Sequence, residues 1–201
     1  MTTNQDPVVL INLFQVPAEA DERFIAAWEA ARDFLAAQDG YQSTALHRSL
    51  SPDAEFRFVN VAKWASLTSF QAATSHPDFP GRDMPFPAHP GLYQVVAEDP
   101  PPAEDPGGVV LVNAFEVPPD SDDAFLASWQ ASREFLRAQP GYLAVRLHRS
   151  LSPEVDFRFI NAGRYASPQS FQAAISQPEF REAAAAIQHR AHPGLYEVVR
   201  R

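Results

Sequence analysis

Two asparagines interrupt apolar runs early in the chain, and both recur later. Asn12 sits in VVLINLF and Asn113 in VVLVNAF; Asn60 sits in FRFVN and Asn161 in FRFIN. A carboxamide among valines and phenylalanines is costly to bury unless it is hydrogen-bonded. Either it satisfies a backbone group at a bulge, or it holds a polar atom of a ligand. The stretch LHRSLSP occurs twice unchanged, at Leu46–Pro52 and Leu147–Pro153. It supplies His47 and His148, imidazoles suited to general-base work near neutral pH. It also supplies Arg48 and Arg149, which want a carboxylate partner or an anionic ligand. Strand alternation puts His47 and Arg48 on opposite faces, so without a bulge they cannot serve one ligand. Both also have a structural reading, an interface hydrogen bond and a salt bridge carried along by duplication.

Aromatics surround these polar groups. Phe14 and Phe115 share a strand face with Asn12 and Asn113, and Trp64 and Tyr165 share one with Asn60 and Asn161. His89 and His192 precede Pro-Gly-Leu-Tyr, where either caps a pocket or fixes a turn. His76 and His189 have no counterparts, so no role common to both copies rests on them.

Several chemistries lack support. The chain has no cysteine, which excludes disulfides, thiolate nucleophiles and cysteine metal sites. No metal-binding histidine spacing recurs, and phosphate loops and nucleophile elbows are absent. A net charge of −9 argues against nucleic acid and anionic membranes as partners. No apolar run approaches the roughly 20 residues of a membrane span. The N-terminal residues do not read as a secretion signal, so the expected location is cytoplasmic.

The elements that must position these residues are written twice. A shift of 101 places brings Val8 onto Val109, and FIAAWEAARDFLAAQDGY at Phe24–Tyr41 onto FLASWQASREFLRAQPGY at Phe125–Tyr142. AHPGLYQVV and AHPGLYEVV close the two copies, two residues further out of step. The unit is about 95 residues, the size of a small domain. The domains are expected at 1–97 and 109–201, joined by a Pro- and acid-rich linker at 98–108. Each copy reads strand (Val8–Val16), helix (Phe24, Trp28, Ala31, Leu35, with Gly40 as cap), strand (Gln42–Leu50), strand (Glu55–Trp64), helix (Ser66–Ser75) and strand (Gly91–Val96). The order βαββαβ is ferredoxin-like, an α+β fold with two helices on one face of an antiparallel sheet. The other face is also apolar, which favours the two sheets covering each other as an intrachain pseudo-dimeric α+β barrel over two independent beads.

With these motifs in place, both copies resemble the antibiotic biosynthesis monooxygenase (ABM) domain of the dimeric α+β barrel superfamily. The carriers are INLFQVP/VNAFEVP, the FxxxWxxxxxFLxxQxGY helix, LHRSLSP, FRFxNxxxWAS with its Tyr165 variant, SFQAA and HPGLYxVV, which together cover nearly everything but the linker. The resemblance implies a pocket between helices and sheet, and oxidation of phenolic rings by dioxygen without metal, flavin or haem. Asn12, Asn113, Asn60 and Asn161 would then hold substrate oxygens. Trp64, Tyr165, Phe14 and Phe115 would pack on the ring, His47 and His148 would take the proton, and His89 and His192 would close the pocket. A haem-degrading branch is the alternative. It shares the first-strand asparagine, but its tryptophan position falls on Ala73 or Ala174 and its histidine position on Asp83 or Ala184. A further alternative is a small-molecule-binding accessory protein without turnover. The partners implied are a small aromatic and dioxygen; pairing with a second chain is left open.

Overall fold

The computed structural model describes residues 5–103 and 107–201, apart from the side chain of Asp83. Two compact units emerge: residues up to Gln94 together with Val198–Arg201, and Val95–Glu197.

In the first unit the strands are β1 (Val8–Phe14), β2 (Tyr41–Ser49), β3 (Phe58–Trp64) and β4 (Ala88–Asp99), with helices α1 (Asp21–Ala36) and α2 (Leu67–Ser75). β1 lies between β3 and β4, and β3 pairs with β2, all antiparallel. Asp21 and Glu22 place negative charge on the first turn of α1, where the helix dipole favours it. Phe24, Trp28 and Ala31, spaced by four and three, are the buried stripe of α1. Phe24 stacks on Phe58 at 4.5 Å and meets Phe14 edge-on at 4.8 Å, fixing the helix to the sheet. The chain leaves α1 through Gly40 at φ +82°, a left-handed conformation that a side chain would strain. Ser66 caps α2 by accepting from the Ser69 amide.

The second unit repeats this plan with β5 (Val109–Glu116), β6 (Tyr142–Ser150), β7 (Phe159–Tyr165), β8 (Arg190–Arg200), α3 (Asp122–Arg137) and α4 (Pro168–Ile175). It adds one helix that periodicity did not show, α5 (Pro178–Ala185), where the first unit has only a short 3-10 turn at Pro80–Asp83. Proline at the first position and the EFREAAA composition that follows account for it.

The last strands differ from their sequence reading in length. β4 runs on to Asp99, two residues into the segment that reads as linker, and its end belongs to the second unit. The end of β8 belongs to the first unit in the same way. The acids that look solvated in the sequence have partners: Glu98 pairs with Arg146 at 2.6 Å and Asp99 with Arg133 at 2.5 Å. Each unit is thus an antiparallel sheet with its helices, the α+β class that the repeat implies, and β5 lies between β7 and β8 as β1 lies between β3 and β4. Sheet residues turned away from the helices, among them Ile11, Leu13, Val59, Val112, Ala114 and Ile160, are buried. No described helix is long and apolar enough to cross a membrane.

Candidate functional site

In the second unit, helices α3, α4 and α5 and the sheet enclose a cavity of about 310 Å³. Its walls are mostly apolar, with Phe115 from β5, Trp129 from α3, Phe171 from α4 and Phe180 from α5. A few polar groups interrupt them, as in small-molecule sites generally.

Two of these groups are the asparagines. Register sets Asn113 directly opposite Asn161 across β5 and β7, just as Asn12 faces Asn60 across β1 and β3. The pairs behave differently from each other. Asn161 Oδ1 accepts a hydrogen bond from the indole Nε1 of Trp129 at 3.1 Å, and Asn60 Oδ1 accepts from Trp28 at 3.0 Å. An indole N–H can only donate, so this contact fixes which end of each amide is oxygen. The Asn161 amino group then lies on the side of Gly163, 3.6 Å from where a Cβ would stand there. In contrast, Oδ1 of Asn113 and Oδ1 of Asn12 are buried with no hydrogen-bond partner among the described residues. An orphaned buried carbonyl costs about 1–3 kcal/mol. It is the clearest sign that something else belongs beside it.

Tyr165 closes the β7 side of the cavity, 2% exposed. Burial holds its hydroxyl well above the ordinary phenol range, so it stays protonated. Its counterpart Trp64 is fully buried between Tyr41 and Phe70, and its indole Nε1 has no hydrogen-bond partner among the described residues. Tyr142 and Arg133 line the cavity through a network that sequence reading missed. Arg133 donates to both oxygens of Asp99, at 3.0 and 2.5 Å, and the Tyr142 hydroxyl donates to Asp99 at 2.6 Å. The Arg133 hydrogen bond holds the Asp99 carboxyl below its usual range. Burial, then the Asp99 contact, pushes the Tyr142 hydroxyl far up. The charge of Arg133 at the cavity is thus neutralised by a buried carboxylate.

The sheet separates the asparagines from the histidines expected to work beside them. Leu147 lies opposite Asn161, so His148, opposite Ile160, projects from the other face; Leu46 and His47 repeat this against Asn60 and Val59. The expectation of one pocket holding both is therefore corrected. His47 Nδ1 lies 3.1 Å from the Val59 carbonyl oxygen, and His148 Nδ1 lies 3.1 Å from that of Ile160. Burial pushes the His47 pKa down, which favours the neutral ring. Arg48 and Arg149 approach the carboxylates of Asp21 and Asp122 at 3.9 and 3.8 Å. Those carboxylates are also held bidentately by Arg57 and Arg158. Half the histidine–arginine repetition is thus a tether for the first turn of each long helix.

His192 also points away from the cavity, 2.9 Å from Glu116 and 5.1 Å from the Phe157 ring, while His89 packs edge-on to Phe56 at 5.3 Å. His192 therefore does not close the second unit's cavity as expected. Phe115 lines the cavity, whereas Phe14 lies in the core cluster with Phe24 and Phe58. Of the positions compared with the haem branch, Ala184 lines the cavity and Ala174 is buried; the Asp83 side chain lies outside the described residues. The histidine that does reach the cavity is His189, set aside in the sequence for want of a counterpart. Among the described residues, no cluster of three histidine, aspartate or glutamate side chains could hold a metal ion.

Known structures share this architecture. The chain is similar to an anthrone oxidase-like protein, at 18% identity and a TM-score of 0.78, covering 98% of this chain and 92% of that one. It is similar to a ferredoxin-fold protein of Listeria monocytogenes related to antibiotic biosynthesis monooxygenases, at 13% identity and a TM-score of 0.58, over 98% of both chains. A monooxygenase-like protein of Listeria innocua matches at 11% identity and a TM-score of 0.54, over 97% and 95%. Identities this low show a common fold. No curated protein matches the chain. The sequence model of the antibiotic biosynthesis monooxygenase family matches residues 7–80 and again 108–186, and the chain belongs to that family, with two copies of its domain in one polypeptide.

Proposed function

We propose that the chain is a cofactor-independent monooxygenase that oxidises a phenolic, polyketide-like aromatic metabolite with dioxygen. The observation that carries this reading is Asn113, which lines an aromatic-walled cavity with its Oδ1 buried and unpartnered among the described residues, opposite an Asn161 amide whose orientation is fixed. A flat guest fits between Trp129, Phe115 and Phe171. Its hydroxyl meets the Asn113 amide, and a carbonyl or ionised oxygen accepts from the Asn161 amino group. Ring oxidation then needs no group beyond the substrate and dioxygen. An electron-rich arene anion passes electrons to dioxygen; one oxygen atom enters the ring as a new carbonyl, and the other leaves as water with the two displaced hydrogens. The protein binds the arene, stabilises its anion through preorganised amides and excludes bulk water. The family, and the likeness to a protein described as anthrone oxidase-like, support an anthrone-type guest.

The test is oxygen uptake by the full chain with anthrone and 1-naphthol. Asn12→Ala combined with Asn113→Ala should lower uptake by about 100-fold or more while circular dichroism stays native. An unchanged rate removes these asparagines from the mechanism. Binding of either arene without any uptake makes the protein a binder, and a stoichiometric Soret shift on adding haemin makes it a haem protein.

A further inference from the structure

The two repeats differ at one cavity position in a way that bears on where the proton goes. Aligning AHPGLY at Ala88 with AHPGLY at Ala191 places His189 on Phe86. The structure keeps that equivalence. Phe86 is buried and meets Phe24 edge-on at 5.5 Å; His189 meets Phe125, the counterpart of Phe24, at 6.1 Å. One repeat thus puts a hydrocarbon ring against its long helix, and the other puts an imidazole of similar shape.

His189 follows α5, immediately before β8, and lines the same cavity as Asn113, Asn161 and Tyr165. It makes no hydrogen bond or ion pair to a described residue, so its ring nitrogens remain available to a guest. The other titratable groups facing this cavity are Arg133 from α3, Tyr142 from β6 and Tyr165 from β7, with Asp99 behind the first two. Arg133 is a permanent cation held by Asp99. Both tyrosines hold their protons far into the alkaline range. None of the three can accept a proton near neutrality.

We propose that His189 is the catalytic proton acceptor of the second unit, taking the hydroxyl proton of a bound hydroxyarene. This rests on the reading of the cavity as an arene site. The O–H bond of the guest breaks, an N–H bond forms on the imidazole, and the electron pair stays on the arene oxygen. The arene anion gives its electrons to dioxygen, and the imidazolium returns the proton to the reduced oxygen that leaves as water. Phe86 cannot do this, so the two repeats are expected to differ in how strongly they ionise a guest.

The experiment reads proton transfer without turnover. Alizarin, a dihydroxyanthraquinone, absorbs at longer wavelength once a hydroxyl ionises and does not consume oxygen. It is titrated against pH with saturating full-length protein and with His189→Phe, which installs the first repeat's own residue. The bound dye should ionise at lower pH than free dye in the wild type. In His189→Phe its apparent pKa should rise by about 1 or more, as loss of a neighbouring cation implies. His189→Gln, polar but without imidazole basicity, should give the same rise, and it decides the matter should His189→Phe lose its fold by circular dichroism. Equal dye ionisation in wild type and folded variants overturns the role of His189 and leaves the arene cavity standing. Failure of alizarin to bind the wild type overturns both.

Discussion

The contact between each long helix and its central strand gives a prediction that the two repeats test against each other. Trp129 and Trp28 are each 5% exposed, and each donates its indole N–H to the asparagine of the third strand of its repeat. Replacing either by phenylalanine removes closely similar apolar contacts, so that cost nearly cancels in the comparison. What differs is what remains at the amide. Asn60 Oδ1 also accepts from the Thr44 hydroxyl at 2.9 Å. The corresponding residue of the second repeat is Val145, which has nothing to donate. Trp28→Phe therefore removes one of two hydrogen bonds, worth about 0.5–1.5 kcal/mol. Trp129→Phe leaves a buried carbonyl with no partner, worth about 1–3 kcal/mol. The hydrogen-bond part of the loss should be larger for Trp129→Phe by about 1 kcal/mol. Urea unfolding at pH 7, followed by circular dichroism, measures this as a shift in midpoint at constant slope. Thr44→Val should close the gap, because it makes the first repeat resemble the second. Thr44→Val with Trp28→Phe should cost about 1 kcal/mol more than the sum of the single changes. Equal losses for the two tryptophans, together with an additive double variant, would refute the argument. The amide oxygen would then not depend on the indole, and the fixed orientation of Asn161 in the cavity would go with it.

Two further outcomes follow from the same geometry. Because Arg133 depresses the Asp99 pKa in the folded state, the stability from this carboxylate is fully present above the ordinary aspartate pKa of about 3.9 and is lost as pH falls through the lower folded value. Asp99→Asn should lower the urea midpoint at pH 7 and flatten its decline between pH 5 and pH 2; an unchanged acid slope would show that Asp99 does not govern it. Gly141 has φ +84°, and a Cβ there would stand 2.5 Å from Cβ of Ser170, part of the cap of α4. Gly141→Ala should cost about 2 kcal/mol by thermal unfolding, and a loss under about 0.5 kcal/mol would show that the turn relaxes freely.

Much of this architecture can be read from letters alone, because period and repetition are local properties. Alternation in VVLINLF and FRFVN put the asparagines among apolar residues, and neighbouring strands then brought them together in register. Alternation also separated His47 from Arg48. Which of the two shares a face with Asn60 is a matter of register between strands, and no single strand carries it. Trp129 reads as one more apolar position on a helical stripe; its N–H matters only because Asn161 waits 32 residues away. Asp99 was illegible for a different reason. Proline and acid on either side make it look solvated, and its partners Arg133 and Tyr142 lie 34 and 43 residues downstream.

His189 is the instructive case, because its signal was present and discounted. A requirement that both repeats do the same work removes any residue found in only one of them. Yet a duplicated chain is free to divide its labour, and the position to watch is one where a core aromatic in one copy faces an ionisable ring in the other. The neutralised Arg133 sharpens this. With its charge met by Asp99, the cavity has no net cation to stabilise an arene anion from a distance. Ionisation there depends on short-range groups, the Asn161 amide and a proton acceptor in contact with the guest. The dye titration of His189→Phe and the oxygen uptake of the double asparagine variant therefore address two separable parts of one site: the group that removes the proton, and the groups that hold the oxygen it leaves behind.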